Sequence, residues 1–556
     1  MKLKNIPVPL IIIIFFGAIL RFTMLSQMPP SLNWDEVSHG YNAYSILKTG
    51  HDEWGKFFPI TNFRAYGDYP LPLNLYLTIP FIKTLGLNEF AIRAPHALLG
   101  VGTIIATYFL AYGVTKNKKI SLIASFLASI DPWLLFPSRA VFQSNLSVFF
   151  LTSALAAFVN REKNKFLLPL ASLFLGLTLF SYHSTRILSP LLLISLLFIY
   201  REEFLKHLKK ITPNFLLSIV FLIVFFAPLP FIFLNPDARA RSNVVFLLDQ
   251  GAVNQIENLR NNSGQSYKNL IYNKFTYFTV KFLQNYIDYF SPQFLFLNGG
   301  TQYQFSVPNQ GLLYLINLPF FYFGLFLCLK NIKKKEYQLL LIWLILAPIP
   351  AAITQDKFAV IRATTMLPLP EILVGIGIIK ILEKLKNNRE MAILMFVIAM
   401  ILSLENYIDV YAKSYRQNYS WSWQYGYKQI VGYIQENYEN YDKIIITKKY
   451  GEPHEYFLFF LQYNPAKFIN DKNLIRYGKS NWFWVDRFDK FYFVNDWQIP
   501  HNNSNFILES KKEEINCDKN IKCLLISSPE NHPVGWKLLK IINFLDNSKA
   551  FEIWKN

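Results

Sequence analysis

The stretch Ile6–Leu25, IPVPLIIIIFFGAILRFTML, sets the fold class, and it soon runs into the tetrad Trp34-Asp35-Glu36-Val37. An apolar run of this length is enough to cross a bilayer as a helix. Adjacent carboxylates at the mouth of such a helix are costly unless they are used. Chemistry or ion binding at the membrane surface is therefore expected of Asp35 and Glu36. Comparable runs recur at Ala94–Val114, Ile120–Phe136, Leu146–Val159, Phe166–Phe180, Ile187–Tyr200 and Phe215–Leu234, and again at Leu312–Leu329, Leu339–Ile353, Thr364–Leu382 and Met391–Leu404. Hydropathy thus predicts about eleven spans. The run Leu71–Leu85 carries Pro72 and Pro80 and reads as an interfacial or re-entrant helix.

Composition agrees. Of 556 residues 52% are hydrophobic and only 17% charged, with 51 Phe. The runs are too continuous for the alternating strands of an outer-membrane barrel. The net charge of +19 does not point to nucleic acid. The Lys and Arg residues sit in short loops between apolar runs, which fits topology and anionic membrane lipids. Basic clusters at Lys2/Lys4, Lys116–Lys119, Arg161–Lys165, Arg201–Lys210, Lys330–Lys335 and Lys384–Arg389 all fall on one side if Leu71–Leu85 does not cross. The positive-inside rule makes that side cytoplasmic. Ile6–Leu25 lacks a small-residue cleavage site and reads as a retained span of a multi-pass cell-membrane protein.

The opposite side then receives the first loop, 26–69, and the second long loop, 235–311. It also receives the turns Pro137–Ser144, Ser181–Arg186 and Thr354–Ala363, and the tail. The tail alternates predicted helices (Gln424–Tyr438, Glu452–Gln462) with predicted strands (Lys443–Thr447, Phe491–Asn495, Lys522–Ser527). The expected architecture is an α-helical polytopic membrane domain over 1–409 followed by a small extracytoplasmic α/β domain over 410–556. Cys517 and Cys523 are close enough in sequence to pair if the tail is extracytoplasmic. Cys328, in an apolar run, is expected to be inert.

Glu36–Lys48 has helical spacing and Gly50 suits its stop. The plain reading of Asp35 is an N-cap. A carboxylate at a helix start is also held in place and kept ionised by the helix dipole, as a general base requires. Asp68, in Arg64-Ala-Tyr-Gly-Asp68-Tyr69-Pro, is a turn residue or a second acid. Arg139, Arg186 and Arg362 fall in outer turns against the inward bias of the other cations. Each alone reads as snorkelling, but together they suit a phosphate. His183, close to Arg186, could orient that phosphate or ligate a metal, although a lone His is more often merely hydrogen-bonded. No zinc pattern, P-loop or dinucleotide fingerprint is present. A base, a second acid and anion-binding arginines at a membrane rim suggest group transfer from a lipid-linked phosphate.

At these residues the chain resembles the GT-C membrane glycosyltransferases, in particular family 39, which includes protein O-mannosyltransferases and, more distantly, aminoarabinose transferases. The resemblance rests on Trp34-Asp35-Glu36, Gly67-Asp68-Tyr69 leading into Pro70-Leu-Pro-Leu, Leu87-Asn-Glu-Phe-Ala-Ile-Arg93-Ala-Pro and Asp131-Pro-Trp with Ser138-Arg139. It continues through Ser181-Tyr-His-Ser-Thr-Arg186, Phe290-Ser-Pro-Gln and Ile361-Arg362-Ala. It implies inverting transfer from a polyprenyl-phosphate sugar on the extracytoplasmic face. Asp35 would be the base, Glu36 would support it or the acceptor, and Asp68 would lie near the donor or a divalent metal. The implied substrate-binding set is Asp68, Tyr69, Arg139, His183, Arg186 and Arg362, and the acceptor is a glycan, lipid or protein. Pro70 and Gln143 depart from the usual Lys and Glu of the family, so no metal ligand is assigned and a divalent metal is left open. The competing reading is a transporter or flippase of lipid-linked glycans.

Overall fold

The computed structural model describes residues 7–234, 245–264, 266–385, 388–480, 482–510, 513–518 and 520–556. Lys2, Lys4, residues 235–244 of the second long loop and Lys386 lie outside the described residues. Two compact units form. The first joins Met1–Thr23 to His96–Asp409, and the second joins Met24–Pro95 to Val410–Asn556.

The first unit is helical. Every expected apolar run carries helix, but length and composition separate them. Glu89–Thr115, which begins in the second unit, Pro213–Leu234, Lys335–Ala352 and Arg389–Asn418 are long and apolar enough to cross a membrane. Two further pairs qualify only when joined across a bend: Lys118–Ile130 with Pro132–Arg139, bent by 61°, and Val360–Met366 with Leu369–Lys384, bent by 53°. Proline explains both breaks, at Pro132 and Pro368, because its ring and missing N–H interrupt the helical ladder. The remaining runs are apolar helices of 10–17 residues: Val8–Phe22, Gln143–Val159, Leu167–Thr178, His183–Ile199 and Leu315–Lys330. The described chain therefore has four clear candidate spans, or six if each bent pair is one span.

Small residues set a close helix contact in this unit. Helix Leu318–Lys330 packs on Leu369–Lys384. A Cβ on Gly324 would lie 1.9 Å from the Leu373 carbonyl oxygen, and one on Gly377 would lie 2.1 Å from that of Phe320. Backbones approach this closely only where the side chain is absent, the usual device for joining helices in lipid.

The second unit is built on a seven-stranded sheet, in spatial order Ile475–Lys479, Trp482–Phe488, Phe491–Val494, Lys443–Thr447, Cys523–Ser527, Lys549–Lys555 and Lys537–Asn543. Its strands are β1 (Lys443–Thr447), β2 (Ile475–Lys479), β3 (Trp482–Phe488), β4 (Phe491–Val494), β7 (Cys523–Ser527), β8 (Lys537–Asn543) and β9 (Lys549–Lys555). β5 (Asn505–Ile507) and β6 (Glu514–Asn516) form a separate hairpin. β1 lies parallel to both β4 and β7, and the other pairs of the large sheet are antiparallel. Ile444, Ile445 and Ile446 are all fully buried, which is why this strand reads as a continuous apolar run. Cys517 and Cys523 are disulfide-bonded, and Cys328 is a buried free thiol.

The first loop folds with this sheet. Its helix Trp34–Thr49 packs on Leu73–Leu85, on Pro453–Phe460 and on Pro465–Ile469. The Tyr41 hydroxyl donates to the Tyr463 carbonyl at 3.0 Å. Gly50 ends the helix at φ 75°, in the left-handed region that glycine occupies without penalty.

Gly377→Leu is expected to cost about 1–3 kcal/mol by forcing the two helices apart. Thermal unfolding in detergent would read this as a Tm lowered by several degrees, whereas an unchanged Tm would mean the helices are not closely packed there.

Candidate functional site

Helix Trp34–Thr49 starts in a capping box. The Asn33 side chain accepts from the Glu36 N–H at 2.9 Å, and the Glu36 carboxylate accepts from the Asn33 N–H at 3.2 Å. The N-cap is therefore Asn33, and the plain reading of Asp35 as N-cap is corrected: Asp35 lies inside the first turn. The signal was in the sequence, since Asn-x-x-Glu is a capping-box spacing.

Glu36 is fully buried and held by Arg93 in a two-pronged ion pair, Nε to Oε1 and Nη2 to Oε2, each 2.8 Å. Arg93 also donates to the carbonyls of Leu25 at 3.0 Å, Pro29 at 3.1 Å and Ser31 at 2.5 Å. One guanidinium thus ties the incoming loop to the helix start. Arg93 stands in the Leu87–Pro95 motif, and nothing local to it in the sequence shows its partner.

Asp35 is half-buried. The Tyr66 hydroxyl donates to its Oδ1. Its backbone carbonyl lies 2.6 Å from His39 Nδ1, and the His39 ring meets Phe63 edge-on. The Tyr66 ring leans on Trp482, 5.3 Å between centroids, and the Phe483 N–H donates to the Tyr66 carbonyl. Trp482 in turn donates its indole N–H to Glu452 Oε1. Burial pushes the Glu452 carboxyl up to about 8, against the opposing pull of Trp482 and Lys448. The tyrosine that orients the first-loop acid is thus backed by residues more than 400 positions away along the chain, a support that no sequence pattern announces.

Asp68 sits in a tight turn. Its Oδ1 accepts from the Tyr69 N–H at 2.8 Å and its carbonyl from the Ala65 N–H at 3.0 Å. Tyr69 is buried, with the Arg64 guanidinium over its ring at 5.7 Å. Asp35, Glu36, Asp68 and Tyr69 all belong to the second unit.

The four other expected residues belong to the first unit. Arg139 is buried on the turn Pro137–Arg139 and donates to the carbonyls of Leu20 and Thr23, the latter at 2.7 Å. Arg186 is buried on helix His183–Ile199, and its Nε donates to the Leu179 carbonyl at 3.1 Å. His183, the first residue of that helix, is half-buried. Arg362 is partly exposed and donates to Thr354 Oγ1 at 3.0 Å and Asp356 Oδ2 at 2.6 Å. A cavity of 980 Å³ in the second long loop is lined by Asp249, Lys281, Asp288 and Lys357, and by none of the expected residues.

Residues 11–231 match the family model described as dolichyl-phosphate-mannose-protein mannosyltransferase. An uncharacterized protein of Aquifex aeolicus is 28% identical over 121 residues, which is 22% of this chain and 23% of that protein. ArnT from Cupriavidus metallidurans, solved bound to undecaprenyl phosphate, superposes with a TM-score of 0.51 at 10% identity, covering 98% of this chain and 97% of ArnT. The Archaeoglobus fulgidus oligosaccharyltransferase AglB, solved with an inhibitory peptide and a dolichol-phosphate, gives a TM-score of 0.49 at 16% identity, covering 81% of this chain. The chain spans 63% of AglB, less than two thirds. Residues 11–231 are thus similar to that mannosyltransferase family, and the fold over nearly the whole chain is similar to that of ArnT.

Proposed function

We propose that this chain is an inverting glycosyltransferase. It would move a sugar from a polyprenyl-phosphate donor to an acceptor hydroxyl on the extracytoplasmic face, with Asp35 as general base. The observation that carries the reading is the division of labour at Trp34-Asp35-Glu36. Glu36 is consumed by Arg93 and the capping box, while its neighbour Asp35 stays half-exposed with one oxygen oriented by Tyr66. A carboxylate fixed on a rigid helix start, with a route to solvent, suits proton abstraction. The matched family is named for a dolichyl-phosphate sugar and ArnT was solved with undecaprenyl phosphate, which supports a lipid-linked donor.

In the proposed step the acceptor hydroxyl oxygen attacks the anomeric carbon as its proton passes to Asp35. The bond from that carbon to the donor phosphate oxygen breaks, and the phosphate leaves with the electron pair. Arg186, Arg362 and His183 are assigned to the leaving phosphate, because guanidinium groups match it in geometry and charge. Arg139 is assigned to fastening, since its guanidinium is already turned to backbone carbonyls. Asp68 and Tyr69 are assigned to shaping the approach of the donor. Glu36 is a positioning residue, acting through the helix start.

Asp35→Asn is expected to lower release of polyprenyl phosphate by about 10²–10⁴-fold with an unchanged Tm. Turnover at the parent rate would remove Asp35 from the mechanism. Arg362→Ala should raise the KM for donor lipid more than that for acceptor, and equal shifts in both would refute phosphate binding. Arg93→Ala leaves a buried carboxylate uncompensated and should cost about 3–5 kcal/mol. Urea titration of Arg93→Ala, Glu36→Gln and the double variant would show strong coupling, and additive losses would mean that the pair does not hold the helix start.

A further inference from the structure

Three acidic side chains and a histidine converge inside the second unit, apart from Asp35. Glu53 follows helix Trp34–Thr49, while Glu452, His454 and Glu455 surround the start of helix Pro453–Phe460. One ligand atom from each of Glu53, His454 and Glu455 lies within 4.8 Å of the other two. His454 Nε2 is 3.8 Å from Glu455 Oε1, and His454 Nδ1 is 3.5 Å from Glu452 Oε2. All four side chains are buried, at 0–5% exposure.

These groups are poorly satisfied as they stand. Ser38 and Glu53 lie against the Glu455 carboxyl, but neither Glu455 oxygen accepts a hydrogen bond of ordinary geometry, and the same holds for Glu53 Oε2 and Glu452 Oε2. His454 Nδ1 is likewise without a hydrogen-bond partner of ordinary geometry. Buried carboxylates without donors cost several kcal/mol unless a positive charge is at hand. Two cations are near. Arg476 gives one Nη to the Glu53 carbonyl at 2.7 Å and lies over the Trp54 ring at 4.0 Å, so part of it is committed elsewhere. Lys448 is paired with Asp486.

We infer that Glu53, His454 and Glu455 hold a divalent transition-metal cation of the zinc class, with Glu452 orienting the imidazole from its other nitrogen. One imidazole and two carboxylates form a borderline donor set that suits Zn²⁺ and its first-row neighbours better than calcium. A carboxylate behind a ligating histidine is the usual outer support. The role is a fastening. Glu53 comes from the first loop, and His454 and Glu455 come from the sheet-bearing part of the same unit. Glu452 also accepts from Trp482, against which Tyr66, the hydrogen-bond partner of Asp35, is packed. The cation would therefore lock the loop that presents Asp35 without touching substrate. The inference does not depend on the proposed reaction.

The test uses the full chain, purified in detergent through a tag that binds no metal. Elemental analysis should find about one zinc-class ion per chain. A strong chelator should lower Tm by about 5 °C or more, and Zn²⁺ alone should restore it. Glu455→Gln and His454→Ala should each lose the ion. If neither variant folds, the parent protein's metal content and chelator response still decide. A metal-free parent protein that ignores both chelator and Zn²⁺ would overturn the inference and leave Glu53 and Glu455 as an acid pair sharing a proton. An ion retained in both variants would overturn it equally, by placing the metal elsewhere.

Discussion

The interaction on which the candidate site depends is the ion pair of Arg93 with Glu36. Both side chains are fully buried, so removing their charges from water is expensive, and only good geometry repays it. Here the geometry is favourable: two parallel contacts of 2.8 Å, with the remaining donors of Arg93 spent on carbonyls of the entering loop. Glu36 adds the capping-box contact, which satisfies N–H groups that a helix start otherwise leaves unpaired. Of two adjacent carboxylates, one becomes structure and the other is presented. Adjacent positions on a helix point about 100° apart, so burying Glu36 turns Asp35 toward a different face.

A related economy runs through the helical unit. Arg21 is buried and donates to the carbonyls of Gly17, Ser129 and Ala128, while Arg139 donates to those of Leu20 and Thr23. Ser129 and Ala128 end a helix that breaks before Pro132, where carbonyls lose their helical partners. Irregular backbone is tolerated at membrane depth only where such groups are satisfied again. These two arginines therefore read more naturally as fasteners of the first helix than as ligand contacts.

Fold class, the apolar runs and several tail elements were legible along the chain because they are local. Ile444–Ile446 announces a doubly buried strand, and helix Trp34–Thr49 announces its stop at Gly50. The expected strands correspond to β1, β4 and β7, and β2, β3, β5, β6, β8 and β9 do not stand out along the chain. β2 has no fully buried residue and β8 exposes five of its seven, which dilutes the apolar pattern, while β3 and β9 carry charged residues inside their buried stretches, Asp486 in β3 and Glu552 in β9. The Asn33 cap is legible in its spacing to Glu36, a capping-box pattern that local residues alone enforce.

What the sequence determined by itself is whatever a few neighbouring residues enforce: apolar length, helix stops, the acid pair after the first run, and arginines in short turns. Tertiary structure alone decided which acid is tied down, since Arg93 lies 57 residues from Glu36. It alone brought Tyr66 to Asp35 and joined Glu53 to His454 and Glu455. The physical reason is range. Helical and strand periodicities act over a handful of residues, whereas neutralising a buried charge requires whichever opposite charge the completed fold carries to it.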